Sequence, residues 1–250
     1  MNKDELFDFY VNESKAPFKG WNFSYLNGRL VDSPLPWNYR SIILPYVLDS
    51  TCLLDIGTGG GEFLSKLPFP KETFATESYV PNVSIAKNKL KPLGITVKHI
   101  TSDSDLPFEN EFFDMVIDRH ESYSVSEIRR ILKPDSYFIT QQVGRNDGLE
   151  INEVLGGPLP EDDDPNWNLD FIIKGLKGEG FNIIDAKECK VPSRVYDIGA
   201  LIYYLKAIPW QIAGFTIEKY IPELKKLHKR MLDKGYFEYT TERLLVVAKK

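Results

Sequence analysis

Cysteine is scarce in this chain, with only Cys52 and Cys189 among 250 residues. Two thiols cannot supply a disulfide framework or a full zinc site. Both lie in or beside apolar runs, where a thiol packs as a small hydrophobe; a reactive cysteine is the competing reading. Long apolar runs are missing too. The stretch 198–208 is broken by Gly199 and Lys206 and is too short to span a bilayer. The opening MNKDELFDFY is acidic and aromatic, without the basic head and apolar run of a secretory signal. The expectation is a soluble, cytoplasmic protein with no membrane partner. Basic excess is also absent, with 31 Lys plus Arg against 36 Asp plus Glu and a net charge of −5. Proteins that hold long nucleic acids offer phosphates a basic face, so nucleic acid is disfavoured as a partner. The one dense charge run, Glu161-Asp162-Asp163-Asp164, is acidic and reads as a solvated loop. No acidic cluster with metal-ligand spacing stands out, and no metal is expected.

What is present is a patterned globular chain, 42% hydrophobic and long enough for one large domain. Short apolar runs recur at 52–56, 73–76, 97–100, 113–117, 137–142, 183–186 and 244–248. Between them lie amphipathic stretches at 62–67, 83–90, 126–132 and 169–177. Strands alternating with short helices predict an α/β fold: a doubly wound, mostly parallel seven-stranded sheet with helices on both faces. Right-handed crossovers then gather the loops that follow the strands on one rim. Lys133-Pro134 is a helix stop, Gly178 with Gly180 another, and Ser126 a helix cap. One domain over 1–250 is expected. Its core spans 51–188 and 240–250, after an aromatic N-terminal helical segment (1–50) and around a helical insertion (189–239) before the last strand. The two flanking parts are placed as a lid over the rim, with Trp37, Tyr39, Gln141 and Tyr203 as substrate or lid residues.

The densest signal is the run Leu53-Leu54-Asp55-Ile56-Gly57-Thr58-Gly59-Gly60-Gly61-Glu62. A strand ends at an acid and enters a turn whose glycines let a ligand approach bare backbone. A dinucleotide fingerprint wants Gly-x-Gly-x-x-Gly with pyrophosphate on a helix N-terminus. Glu62 occupies the third glycine's place and sets a carboxylate against those phosphates. A cationic, phosphate-free ligand suits Asp55 and Glu62 better. Glu77 ends the next run about twenty residues on, where an acid can accept from ribose hydroxyls. Thr101-Ser102-Asp103-Ser104-Asp105-Leu106-Pro107-Phe108 follows the third run, and either Asp103 or Asp105 can take an adenine amino group, with Asp103 favoured.

The spacing Gly57-x-Gly59-x-Gly61 resembles motif I of the class I S-adenosylmethionine-dependent methyltransferases. The Asp103 to Val116 stretch resembles that family's D-A-x-x-L-P-F…F-D-x-V run, one residue short before Leu106. Arg130-Ile131-Leu132-Lys133-Pro134 resembles its R-x-L-K-P-G-G segment, with Asp135-Ser136 in place of the glycines. The resemblance covers roughly 52–139. It implies a Rossmann-like fold and S-adenosyl-L-methionine as cofactor, held by Asp55, Gly57, Thr58, Gly59, Gly61, Glu77, Ser78, Asp103, Ser104 and Arg119. It also implies in-line methyl transfer, with the fourth-strand end Asp118-Arg119-His120-Glu121 beside the methyl group. His120, whose ordinary pKa is near neutrality, is the general-base candidate, against a reading as a loop histidine. Asp118 would orient cofactor or acceptor. A small-molecule acceptor is the leading expectation. RNA or protein methylation, with a basic groove around Lys87, Lys89, Lys91 and Lys98, and a non-catalytic cofactor-binding module stand as alternatives. The sequence sets no oligomeric state.

Overall fold

The computed structural model describes residues 3–160, 164 and 166–250. The solvated-loop reading of the acidic run therefore falls, apart from Asp164, outside the described residues. The helices are α1 (Lys3–Ser14), α2 (Tyr39–Asp49), α3 (Val80–Leu90), α4 (Val125–Ile131), α5 (Leu149–Leu155), α6 (Leu169–Gly178), α7 (Ile198–Ala207) and α8 (Ile217–Lys234). The strands are β1 (Leu30–Asp32), β2 (Cys52–Ile56), β3 (Glu72–Glu77), β4 (Thr96–His99), β5 (Phe113–Arg119), β6 (Leu132–Val143), β7 (Asn182–Val195) and β8 (Phe237–Lys249).

The architecture is the expected α/β sheet with helices on both faces, but it has eight strands instead of seven, in the order β1-β7-β8-β6-β5-β2-β3-β4. The extra strand, β1, comes from the N-terminal segment and pairs antiparallel with β7. Three residues with Val31 exposed carried no alternation that a sequence could show. β2 to β6 pair in parallel, while β8 runs against both β6 and β7. Alternate residues of each strand feed opposite layers. Leu54, Val116, Phe138 and Val246 pack with α4 and α6 through Ile128, Ile131, Ile172 and Leu176. Leu53, Met115, Ile117 and Ile139 pack with α2 and α3 through Ile43, Val47, Ala86 and Leu90.

A third apolar cluster stands beyond the sheet's rim. β7 and β8 stay paired from Cys189↔Arg243 to Val195↔Phe237, well past the end of β6 at Val143. On this extension, edged by β1 where Leu30 to Asp32 pair with Val195 to Ser193, sit α1, α7 and α8, packed through Tyr10, Leu201, Leu205, Leu224 and Tyr239. The helical part of the insertion is thus 198–234. The strands reach past the boundaries at 189 and 239, because their outer halves alternate exposed and buried residues too weakly to read. His228 Nδ1 meets the Tyr10 hydroxyl at 3.0 Å and ties α8 to α1.

Three local readings are corrected. The stretch 62–67 forms a single 3₁₀ turn, Leu64–Lys66, instead of a helix. Pro68 bars the helical conformation to Leu67, which is extended, so too few residues remain for a stable helix. The cap of α4 is Ser124, not Ser126: its oxygen accepts from Glu127 N, and Ser126 bonds only the Ser124 hydroxyl. Similarly, Lys133-Pro134 follows a helix already ended at Ile131 and lies in β6. There Asp135 takes φ 62°, a left-handed turn conformation Asp tolerates.

Candidate active site

Because β2, β3, β4, β5 and β6 are parallel, the loops after them share one rim, and those after β2, β3, β4 and β5 carry residues singled out in the sequence. The β2 loop turns through Gly57, Gly59 and Gly61 at φ 62°, 62° and 78°. Only glycine takes such values without strain. A Cβ on Gly57 would lie 2.3 Å from Glu121 Cγ, and one on Gly59 would lie 3.0 Å from Trp21 Cβ. The cradle is therefore shallow by design of the backbone, with Glu121 against one glycine and the N-terminal Trp21 against another. Thr58 N is anchored to Thr76 O at 2.9 Å, joining this loop to β3. The hydroxyls of Thr58 and Thr76 are buried without a hydrogen-bond partner among the described residues.

Carboxylates surround this loop. Burial pushes Asp55 up to about 7, opposed by the nearby Thr58 hydroxyl and Arg119 and reinforced by Glu77. Burial likewise pushes Glu121 up to about 7, with Glu77 and Asp103 adding to it. Glu77 is buried, and its own pKa is raised for the same first reason, although backbone N–H groups of Tyr79, Gly59 and Ser78 favour its anion. Asp103 Oδ2 accepts from the Ser122 hydroxyl at 2.5 Å, which draws the β4 loop to the β5 loop. Asp105 turns elsewhere, lining an open cavity of about 500 Å³ with Phe74, Lys98, Phe108 and Arg130. That separation supports Asp103 as the residue facing the glycine loop. Ser78 and Ser104 are exposed at the same rim. Tyr79 and Val80, at 62% and 66% exposure, present apolar surface directly after Glu77; a flat base needs such a wall. The sequence offered only their adjacency to an acid as a signal.

At the end of β5 the two candidate catalytic residues part company. Asp118 is fully buried. Its Oδ1 accepts from Thr140 Oγ1 at 3.1 Å and Gln142 Nε2 at 2.5 Å, and its Oδ2 has no partner among the described residues. Burial holds its pKa far above the usual carboxylate range, so the Asp118 side chain braces the strand ends. Gln142 also donates to Glu121 O at 2.9 Å and so pins the following loop. His120 has φ 67°, and its N–H donates to Gln141 O at 2.8 Å. Desolvation, then Arg243 and Arg119, pull its pKa well down, so the ring is neutral at pH 7. Arg119 stacks 4.3 Å over the Phe63 ring.

The proposed lid residues divide as well. Tyr39 is buried, and its hydroxyl bridges Asp118 O at 2.9 Å and Ile139 O at 3.1 Å. Trp37 is half-buried and donates from Nε1 to Gln141 Oε1 at 2.9 Å. Gln141, only 5% exposed, is spent on Trp37 and His120 and leaves no amide for an acceptor. Tyr203 is buried against Tyr25 and Phe18, with its hydroxyl 3.2 Å from Pro17 O, inside the cap. The cap residue that reaches the glycine loop is Trp21, which also stacks on Trp210 at 6.0 Å. Sequence reasoning missed Trp21, since nothing local separates it from the other aromatics of 1–50. It also missed Arg243 and Tyr204 beside His120 and Asp147.

Residues 54–140 match the family described as a methyltransferase domain. The matched stretch runs from β2 into β6 and is consistent with a class I methyltransferase. Solved structures agree on its fold. A functionally unknown protein from Deinococcus radiodurans R1 is 15% identical with a TM-score of 0.61, over 98% of this chain and 97% of that one. A putative methyltransferase from Bacillus halodurans C-125 is 18% identical with a TM-score of 0.59, over 84% and 96%. The [4+2]-cyclase SpnF is 14% identical with a TM-score of 0.55, over 98% and 94%. No curated protein matches the chain. The matched stretch sits in the sheet half that holds the glycine loop, Glu77, Asp103 and His120.

Proposed function

We propose that this chain transfers the methyl group of S-adenosylmethionine to a small-molecule acceptor. One observation carries the cofactor: Asp55 and Glu121 are desolvated beside the glycine loop and raised by burial to about 7, neither has an ion pair among the described residues, and Arg119 offsets the burial of Asp55 only in part, which leaves room for further positive charge. An ammonium and a sulfonium supply that charge, whereas a pyrophosphate would meet four carboxylates. The absence of a helix start at the loop removes the other support a dinucleotide needs. When bound, the cofactor supplies an electrophilic methyl group on sulfur. Asp55 and Glu121 fit its cationic end and Gly57 and Gly59 its close backbone approach. Glu77 fits the ribose hydroxyls, and Asp103, with Tyr79 or Val80, the base.

The acceptor side rests on the cap and the charge. Trp21 against Gly59 and Trp210 against Trp21 narrow the rim to something a small molecule enters. Of the four lysines that would make a nucleic-acid groove, Lys89 pairs with Glu62 at 3.0 Å and Lys98 donates to Pro107 O at 2.6 Å. The chain's own residues supply positioning and exclusion of water, which account for much of such a reaction's acceleration. The fold alone does not name the reaction, as a cyclase with this architecture shows. Calorimetry with S-adenosylmethionine and then a methyl-transfer screen over small acceptors and RNA test the reading. Binding with transfer to small acceptors is expected. Binding without any transfer would make the domain a sensor, and no binding would remove the cofactor.

A further inference from the structure

Donor and acceptor chemistry leaves one arrangement of hydrogens around His120. The Trp37 indole nitrogen can only donate, and it meets Gln141 Oε1 at 2.9 Å. That contact fixes the amide with its oxygen towards Trp37 and its NH₂ turned away. The NH₂ lies 3.1 Å from His120 Nε2. An amide nitrogen does not accept, so it donates and Nε2 accepts. A ring nitrogen that accepts bears no hydrogen, and the hydrogen of the neutral imidazole therefore sits on Nδ1. The imidazolium is incompatible with the contact, because both its nitrogens donate. The main chain holds the ring in place through the His120 N to Gln141 O bond of 2.8 Å. Nδ1 has no hydrogen bond among the described residues. Its N–H is the polar group that the ring has left for a ligand.

We propose that Trp37 and Gln141 lock His120 as the Nδ1–H tautomer, which donates to an oxyanion of the methyl acceptor instead of removing a proton from it. The inference rests on the methyltransferase reading and deepens it by naming the acceptor class: a carboxylate, enolate or phenolate whose oxygen arrives ionised. No proton then needs a destination in the transfer. Arg119 and Arg243 both act on His120; Arg243 is ion-paired with Asp147, whereas Arg119, which lies over the Phe63 ring, has no ion pair among the described residues and is the cation left for an anionic acceptor. His120 is the residue that touches the acceptor; Gln141 and Trp37 are positioning residues that act through it.

The ring nitrogens report directly. Nitrogen-15 correlation spectra of the full chain with labelled histidine should show His120 with a protonated Nδ1 and a bare Nε2 from pH 6 to 8. A protonated Nε2 in the native chain overturns the proposal. Gln141→Glu replaces the donor with an acceptor and should move the hydrogen to Nε2; persistence of Nδ1–H there also overturns it. Should that buried variant not fold, Trp37→Phe frees the amide to rotate and should give a mixture of tautomers, while a native spectrum overturns the lock. These measurements need no turnover, so they fail separately from the methyltransferase reading, which fails on cofactor calorimetry. Because the cofactor itself carries a carboxylate, His120→Ala is titrated with S-adenosylhomocysteine. An unchanged Kd is expected, and a tenfold weaker one assigns the N–H to the cofactor and overturns the acceptor role. Transfer to amines alone, with none to ionised oxygens, overturns the acceptor class.

Discussion

Asp55→Asn separates what the acid costs the fold from what it gives the ligand. Asp55 ionises at about 7 in the folded chain, against an ordinary value near 4, and burial is the main cause. Between those two values the folded state keeps a proton that the unfolded state has released, so stability falls as pH rises from about 4 to 7. Three pH units at about 1.4 kcal/mol each set an upper figure of roughly 4 kcal/mol for this one group. Asparagine has the same shape and nothing to ionise, and its NH₂ can donate to the Thr58 hydroxyl, which is otherwise unpartnered. Urea unfolding should find the variant about 2–4 kcal/mol more stable than the native chain at pH 8 and within about 1 kcal/mol of it at pH 4. Ligand binding should move the other way. A cation that prefers the ionised acid binds the native chain about tenfold more tightly at pH 8 than at pH 6. The variant should bind S-adenosylmethionine more weakly at pH 8 and lose that pH dependence. Parallel stability-versus-pH curves for the two proteins, or native affinity in the variant at pH 8, would refute the reasoning.

Other expectations follow from the same contacts. Gly57→Ala strains a φ of 62° and drives a methyl group into Glu121; it should cost about 1–3 kcal/mol and abolish measurable cofactor binding by calorimetry. Tyr39→Phe removes the hydroxyl that bridges Asp118 O and Ile139 O, and thermal unfolding should show a loss of about 1–3 kcal/mol. Asp118→Asn should be tolerated within about 1 kcal/mol at pH 7, because asparagine keeps an Oδ1 that can accept from Thr140 and Gln142 and removes the charge that burial penalises. Asp118→Ala should cost more, since it strands Gln142 and Thr140. Limited proteolysis should cut the segment around Trp21 more slowly with S-adenosylhomocysteine present; equal rates would argue against a lid over the glycine loop.

The parallel half of the sheet was legible in the amino-acid pattern alone. β2 appeared at its observed bounds because Cys52–Ile56 is apolar without interruption and ends at a glycine turn. Glu77 and Asp103 were legible because each follows an apolar run at a fixed distance from that turn. The helix after the loop was misread because its six residues have helical spacing, and the proline that forbids it lies outside the pattern. The eighth strand, the extension of β7 and β8 that carries the cap, and the approach of Trp21 to Gly59 emerge on assembly of the fold. These contacts join segments far apart in the chain, and local periodicity holds no trace of them. The roles at the rim were decided in the same way. Asp118 and His120 are two residues apart and would share one strand face, yet the turn at His120, with φ 67°, buries one and leaves the other an open nitrogen. Burial, a property of the assembled sheet, raised Asp55 and Glu121 to about 7.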